Sequence, residues 1–169
     1  MSPDPADPIR VLFVCTGNSA RSVLSEATLN HLGRGRFEAY SAGSRPAGRV
    51  NPYALRQLAA SGIATDGFRS KSWDEFSGAG APKLDVVVTV CDSAAQEECP
   101  VFFGDFVLTH WGLPDPAAAT GSDADIAAAF AQAHRVVTHR VAQLVALPDA
   151  AFASSELRAR LDAIGESWP

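Results

Sequence analysis

Only three cysteines, one methionine and two tyrosines occur in 169 residues. Three thiols are odd in number and too few to staple a fold, so reduced cysteines with chemical or packing roles are expected rather than structural bridges. No CxxC pair is present, which removes the commonest zinc-ligand spacing. No apolar run approaches the roughly 18 residues of a membrane span. The amino terminus, MSPDPADP, has neither a basic nor an apolar leader region, so a cytoplasmic protein is expected. Positive charge is scarce as well: 14 Lys and Arg against 19 Asp and Glu leave a net charge of −5, with no basic surface for nucleic acid. No repeat with a period of roughly 20 to 50 residues is visible, which excludes a solenoid. What is there is ordinary: 47% apolar and 20% charged residues, long enough to bury a core as one domain, expected to act as a monomer.

Residues 1–8, with three prolines and two aspartates, read as a flexible lead-in, residues 9–147 as the domain, and residues 148–169 as an extension with a short helix. IRVLFV (9–14) and LDVVVTV (84–90) are near-continuous apolar runs, as for parallel strands buried on both faces. FEAYSAG (37–43) and DFVLTHW (105–111) are weaker strand candidates. SVLSEATLNHL (22–32) has Val23, Leu24, Ala27 and Leu32 near helical spacing, and Gly33 stops it. NPYALRQLAASG (51–62) has Asn51 as N-cap and Pro52 at the first helical position. Residues 122–147 put Ile126, Phe130, Val137, Val141 and Leu144 on one face behind a Ser122/Asp125 capping box. ELRARLDAIG (156–165) reads as the extra helix, and GAGAP (78–82) as a loop. Strand and helix in alternation predict an α/β three-layer sandwich around a central parallel sheet, whose ligand site lies at the carboxyl ends of the strands.

Cys15 stands at such an end, in VLFVCTGNSARS (11–22), with five residues between it and Arg21. Backbone N–H groups of Thr16, Gly17, Asn18, Ser19, Ala20 and Arg21, entering a helix N-terminus, can converge on a tetrahedral oxyanion. Gly17 and Asn18 tolerate left-handed backbone, and the Arg21 fork can take two oxyanion oxygens. That positive field is expected to lower the Cys15 pKa and hold the reactive thiolate, with Ser22 adding a hydroxyl donor. The competing reading is a small buried hydrophobe at a strand end. CTGNSARS resembles the catalytic loop of the low-molecular-weight protein tyrosine phosphatase superfamily, which contains phosphatases and arsenate reductases on one fold. The resemblance implies a central four-stranded parallel sheet.

VVVTVCDSAAQEECP places Cys91 directly after the second clear strand and Cys99 eight positions on. If the strands of Cys15 and Cys91 are neighbours, about 4.8 Å apart, both sulfurs emerge on one edge and a disulfide between them is conceivable. A Cys91–Cys99 bridge needs a loop, because eight helical steps at about 1.5 Å span roughly 12 Å. Two structural cysteines, or a metal site with His110, are the other readings. Asp115 lies between two prolines, where a carboxyl group can act as general acid to an oxyanion leaving group or be a plain turn residue.

HWGLPDPA, together with the loop and the two later cysteines in order, is similar to thioredoxin-coupled arsenate reductases over roughly residues 9 to 147. The resemblance implies catalytic roles for Cys15, Arg21, Ser22, Cys91, Cys99 and Asp115, passing oxidation from Cys15 to Cys91 to Cys99. It implies no tightly bound cofactor and an external thiol reductant, either thioredoxin or glutaredoxin with glutathione. Two departures stand out: Ala20 replaces the second loop cysteine of many relatives, and the Cys91–Cys99 spacing is one residue longer. Ala117, Ala118 and Ala119 follow the acid where the phosphatases often have tyrosines. Asn18, Glu26 and Ser41 match a potassium site of some relatives. A phosphate-monoester phosphatase and a non-catalytic oxyanion or arsenite sensor are the alternatives.

Overall fold

The computed structural model describes residues 7–91 and 105–169. Most of the predicted lead-in, and Cys99 with it, lie outside the described residues. Four parallel strands, β1 (Ile9–Cys15), β2 (Phe37–Gly43), β3 (Val86–Thr89) and β4 (Val107–His110), form one sheet in the order β2-β1-β3-β4. The expected α/β sandwich around a four-stranded parallel sheet is therefore the one adopted. The two central strands are those with continuous apolar runs, and Val11 to Val14 and Val86 to Val88 are fully buried. Edge strand β4 leaves Leu108 largely exposed.

Among the described residues four α-helices flank the sheet: α1 (Arg21–Leu32), α2 (Pro52–Ala60), α3 (Asp123–Ala146) and α4 (Leu157–Gly165). Their starts follow the local chemistry. Asn51 Oδ1 accepts from the Tyr53 amide at 2.9 Å ahead of Pro52. Ser122 and Asp125 exchange side-chain and backbone bonds of 3.1 and 3.0 Å in a reciprocal cap. No residue of α3's last turn is basic, yet Arg36 arrives from the β2 side and donates to Val145 O and Leu147 O at 2.8 and 2.6 Å. It thereby places a cation on the negative end of the helix.

One expectation about a helix face needs correction. Leu32 is 41% exposed, and Leu29 takes its place in the core, because the chain turns away at Gly33 to begin β2. The buried face of α3 carries two polar residues besides Phe130, Val137, Val141 and Leu144, namely His134 and Arg140. Leu157, Leu161 and Ile164 of α4 are buried, and the helix packs on β4 and α3. Among the described residues no helix is long and apolar enough to cross a membrane.

His134 gives the fold a pH dependence. Its Nε2 pairs with Thr28 Oγ1 at 3.0 Å, while Nδ1 accepts from Gln57 Nε2 at 3.2 Å. Both ring nitrogens are satisfied in the neutral form, and burial holds the imidazole below its ordinary value of 6.5. The unfolded chain therefore binds more protons here, and this contribution to stability is lost as pH falls below 6.5. Buried Glu26, pushed up to about 6, works in the opposite direction over its own range. The His134 effect is thus read as a difference: the stability gap between wild type and His134→Gln in urea should narrow from pH 7 towards pH 5. A gap that stays constant would contradict the assignment.

Candidate active site

β1 delivers Cys15 to the carboxyl edge of the sheet, and the chain then loops into α1. The carbonyls of the loop are engaged outward: Cys15, Thr16, Gly17 and Ser19 accept from the amides of Ser44, Arg45, Ala47 and Asn51 at 2.8 to 3.3 Å. With the carbonyls turned out, amide N–H groups are left to face inward, and the Asn18 amide donates to Cys15 Sγ at 3.2 Å. Asn18 holds the turn with φ of 46°, the only positive value at a non-glycine among the described residues. Gly43 makes room for the loop, since a Cβ there would lie 2.4 Å from Thr16 O. Helix α1 begins after Ala20 with no side-chain cap, so its first amides stay available to an anion.

A chain of polar groups runs beneath the sulfur. The Lys71 amide donates to Asn18 Oδ1 at 2.9 Å, and Asn18 Nδ2 donates to Ser22 Oγ at 2.8 Å. Ser22 Oγ stands 3.0 Å from Cys15 Sγ and, already accepting from Asn18, has its own proton free to donate to sulfur. Against these bonds works burial, which is the larger influence and pushes the Cys15 thiol up from its ordinary value. The expected lowering of this pKa is thus overturned. Arg21 is turned towards a different partner and leaves the sulfur to neutral donors.

Arg21 Nη1 donates to Leu113 O at 3.0 Å, and Nη2 lies 3.7 Å from Asp115 Oδ2. The guanidinium thereby draws the acid loop over the Cys15 loop. Asp115 also caps the short 3-10 turn Pro116–Ala118, accepting from the Ala117 amide at 2.9 Å, which fixes the carboxyl group. Arg21→Lys should keep the charge but lose the fork, lowering kcat/KM for the oxyanion substrate by about 10²-fold or more. Near-normal steady-state kinetics in that variant would contradict the placement.

β3 pairs with β1 in register Val14 to Thr89, and Val90 N continues the ladder to Val14 O at 2.9 Å. Cys91, the next residue, is buried with Sγ 3.6 Å from Thr16 Oγ1. It is close enough that its charge would oppose ionisation of Cys15. Cys15, Thr16, Asn18, Arg21, Ser22, Cys91 and Asp115 therefore meet at one edge. Among the described residues no group of three or more His, Cys, Asp or Glu is arranged to hold a metal ion. His110 instead bonds Thr89 Oγ1 through Nδ1 at 2.7 Å.

Lys71 links two of the positions that match a potassium site of some relatives, Asn18 and Glu26. Lys71 Nζ stands 4.0 Å from Glu26 Oε1, both side chains being nearly buried, and the Asn18 carbonyl oxygen is taken by the Lys71 amide. Nothing in RSKS (69–72) marks Lys71 as part of the site, and only the folded chain brings it there.

The sequence model described as low molecular weight phosphotyrosine protein phosphatase matches residues 10–157. The chain belongs to the low molecular weight phosphotyrosine protein phosphatase family. It is 34% identical to the arsenate reductase of Halalkalibacterium halodurans over 131 residues, which are 78% of this chain and 91% of that protein. The crystal structure of the arsenate reductase of Archaeoglobus fulgidus is similar with a TM-score of 0.63 and 31% identity, covering 81% of this chain and 99% of that one. An arsenate reductase in its phosphate-binding state is similar with a TM-score of 0.62 and 28% identity, covering 82% of this chain and 97% of that one.

Proposed function

We propose that this protein is an arsenate reductase that passes oxidation along a three-sulfur relay, Cys15 to Cys91 to Cys99. The observation that carries the reading is the second buried thiol, Cys91, lodged against the oxyanion loop beside Thr16. A hydrolase needs one sulfur at this edge; a reductase needs two. Family relatives that are arsenate reductases support the same choice.

Arsenate enters the cradle of inward amides and the Arg21 fork. Cys15 thiolate forms a bond to arsenic while an arsenic–oxygen bond breaks, and the departing oxygen leaves as water with a proton from Asp115. Cys91 thiolate then attacks Cys15 Sγ. A sulfur–sulfur bond forms, the sulfur–arsenic bond breaks, and its electron pair stays on arsenic, which departs as arsenite. Two thiols have been oxidised to one disulfide, and As(V) has been reduced to As(III). Cys99 thiolate attacks Cys91, freeing Cys15 and leaving a Cys91–Cys99 disulfide for an external dithiol. That dithiol is thioredoxin in this reading, with glutaredoxin and glutathione as the other donor. No tightly bound cofactor enters, and the relay suits a monomer in the reducing cytoplasm.

The test is arsenate-dependent NADPH consumption with thioredoxin and its reductase, run in parallel with glutaredoxin and glutathione. Turnover with the first is expected; absence of turnover with every donor would sink the reductase reading. A phosphatase remains the second reading, since Cys15, Arg21 and Asp115 suffice for a phosphocysteine. The exposed alanines Ala117 and Ala118 beside the acid offer little surface to a phosphotyrosine ring.

A further inference from the structure

Arg140 is a charged residue without an opposite charge. It is 1% exposed on α3, and no ion pair joins it to a carboxylate among the described residues. A buried cation in such a place is costly unless dipoles surround it. Its Nη1 donates to Trp111 O at 3.0 Å and Gly112 O at 3.1 Å. Those carbonyls begin the stretch that runs through Leu113, held by Arg21, to Asp115. The acid loop is thus gripped by two guanidinium groups, one at its start and one beside its carboxyl group.

The other side of Arg140 is closed by the end of the chain. Nε donates to Ser167 O at 3.2 Å, and the Trp168 ring lies 4.5 Å from Cζ, within cation–π range. Ser167 is itself fixed, accepting from Gln143 Nε2 at 2.8 Å and donating to Ile164 O at 2.7 Å. Just upstream, Trp111 Nε1 donates to Leu161 O at 2.8 Å, and a Cβ on Gly165 would come 2.4 Å from the Trp111 ring. The tail therefore touches the loop's root twice, through Trp111 and through Arg140. Ser167 and Trp168 lie beyond the stretch matched by the family model, which ends at residue 157.

We propose that the C-terminal segment is a positioning clamp, in which Ser167 and Trp168 hold Arg140 so that Arg140 holds the Asp115 loop over Cys15. Trp168 is 54% exposed, so its ring contributes here as a lid on the guanidinium rather than as core. None of these residues touches the substrate. Their effect reaches the reaction through where the proton donor stands, and a displacement of the acid affects the bond-breaking step more than binding in the Cys15 loop. The inference rests on the reductase reading for its kinetic consequence only.

The experiment compares the full chain, Trp168→Ala, Trp168→Phe and a chain ending at Gly165. Two quantities are read: amide hydrogen exchange at Ala117, Ala118 and Ala119, and arsenate kcat and KM. In the shortened chain, exchange at those three amides should rise about tenfold while Val11 to Val14 keep their protection, and kcat should fall about tenfold with KM within about twofold. Trp168→Ala should show the same pattern more weakly, and Trp168→Phe, which keeps a π face, should return to the full chain's values. Unchanged exchange at the three alanines, or a uniform rise that includes β1, would overturn the clamp. Loop exchange that rises with no change in kcat would overturn its role in catalysis. A full chain without arsenate turnover would count against the reductase reading instead, and exchange alone would then decide the clamp.

Discussion

Cys15→Ser is expected to form no arsenite and to hydrolyse no phosphate ester, while unfolding at a denaturant concentration close to that of wild type. The environment of the sulfur explains why a hydroxyl cannot substitute. Cys15 is surrounded by donors, the Asn18 amide and the Ser22 hydroxyl, and these stabilise an anion once formed. Among the described residues no carboxylate or imidazole bonds to it to take its proton. A thiol ionises without a base even when burial pushes its pKa up, but a serine hydroxyl does not, and a seryl oxygen cannot enter a disulfide. Purified Cys15→Ser incubated with arsenate and excess dithiol should release no arsenite by direct speciation. Release at even a hundredth of the wild-type rate would mean that another group is the nucleophile.

Asp115→Asn is the second large effect, a fall in kcat of about 10² to 10⁴-fold with KM little changed. Asparagine keeps the size and can still accept from the Ala117 amide, so the turn at Pro116–Ala118 should survive. What is lost is the proton for the departing oxygen and the charge facing Arg21 at 3.7 Å. The signature that separates proton donation from loop geometry is leaving-group dependence. If the chain hydrolyses phosphate esters at all, esters of acidic phenols should suffer much less than esters of aliphatic alcohols. An equal loss for both would assign Asp115 a positioning role only.

Much of this molecule could be read from its residues because local chemistry and final structure agree. The apolar runs at Val11–Val14 and Val86–Val88 have no plausible alternative to a central parallel sheet, and the caps at Asn51 and Ser122 are satisfied within three residues. The Cys15–Arg21 loop is legible for the same reason: its geometry is written within one continuous stretch. The features that escaped depend on long-range placement. Lys71 reaches Glu26 only through the fold, across 45 positions of sequence.

Arg140 is an instructive case. It falls on the same helical face as Val137, Val141 and Leu144, so its burial was encoded in the period, but a charged residue on an apolar stripe is easily discounted. The Cys15 pKa is set by long-range placement for a related reason. The motif displays the donors, whereas desolvation is a property of everything packed around them. Cys91 needed both levels. Its position after a strand was visible in the sequence, but the register of β3 against β1 was required to bring it to the loop.

The central claim is that reduction proceeds by attack of Cys91 on the Cys15–arsenic adduct to leave a Cys15–Cys91 disulfide, and it is tested most directly in Cys99→Ser, where the relay has no third member. One equivalent of arsenate given to the reduced variant should yield about one arsenite per chain, and mass mapping should then find Cys15 joined to Cys91. Sustained recycling by thioredoxin in that variant, or arsenite formed with both thiols still free, would contradict the account.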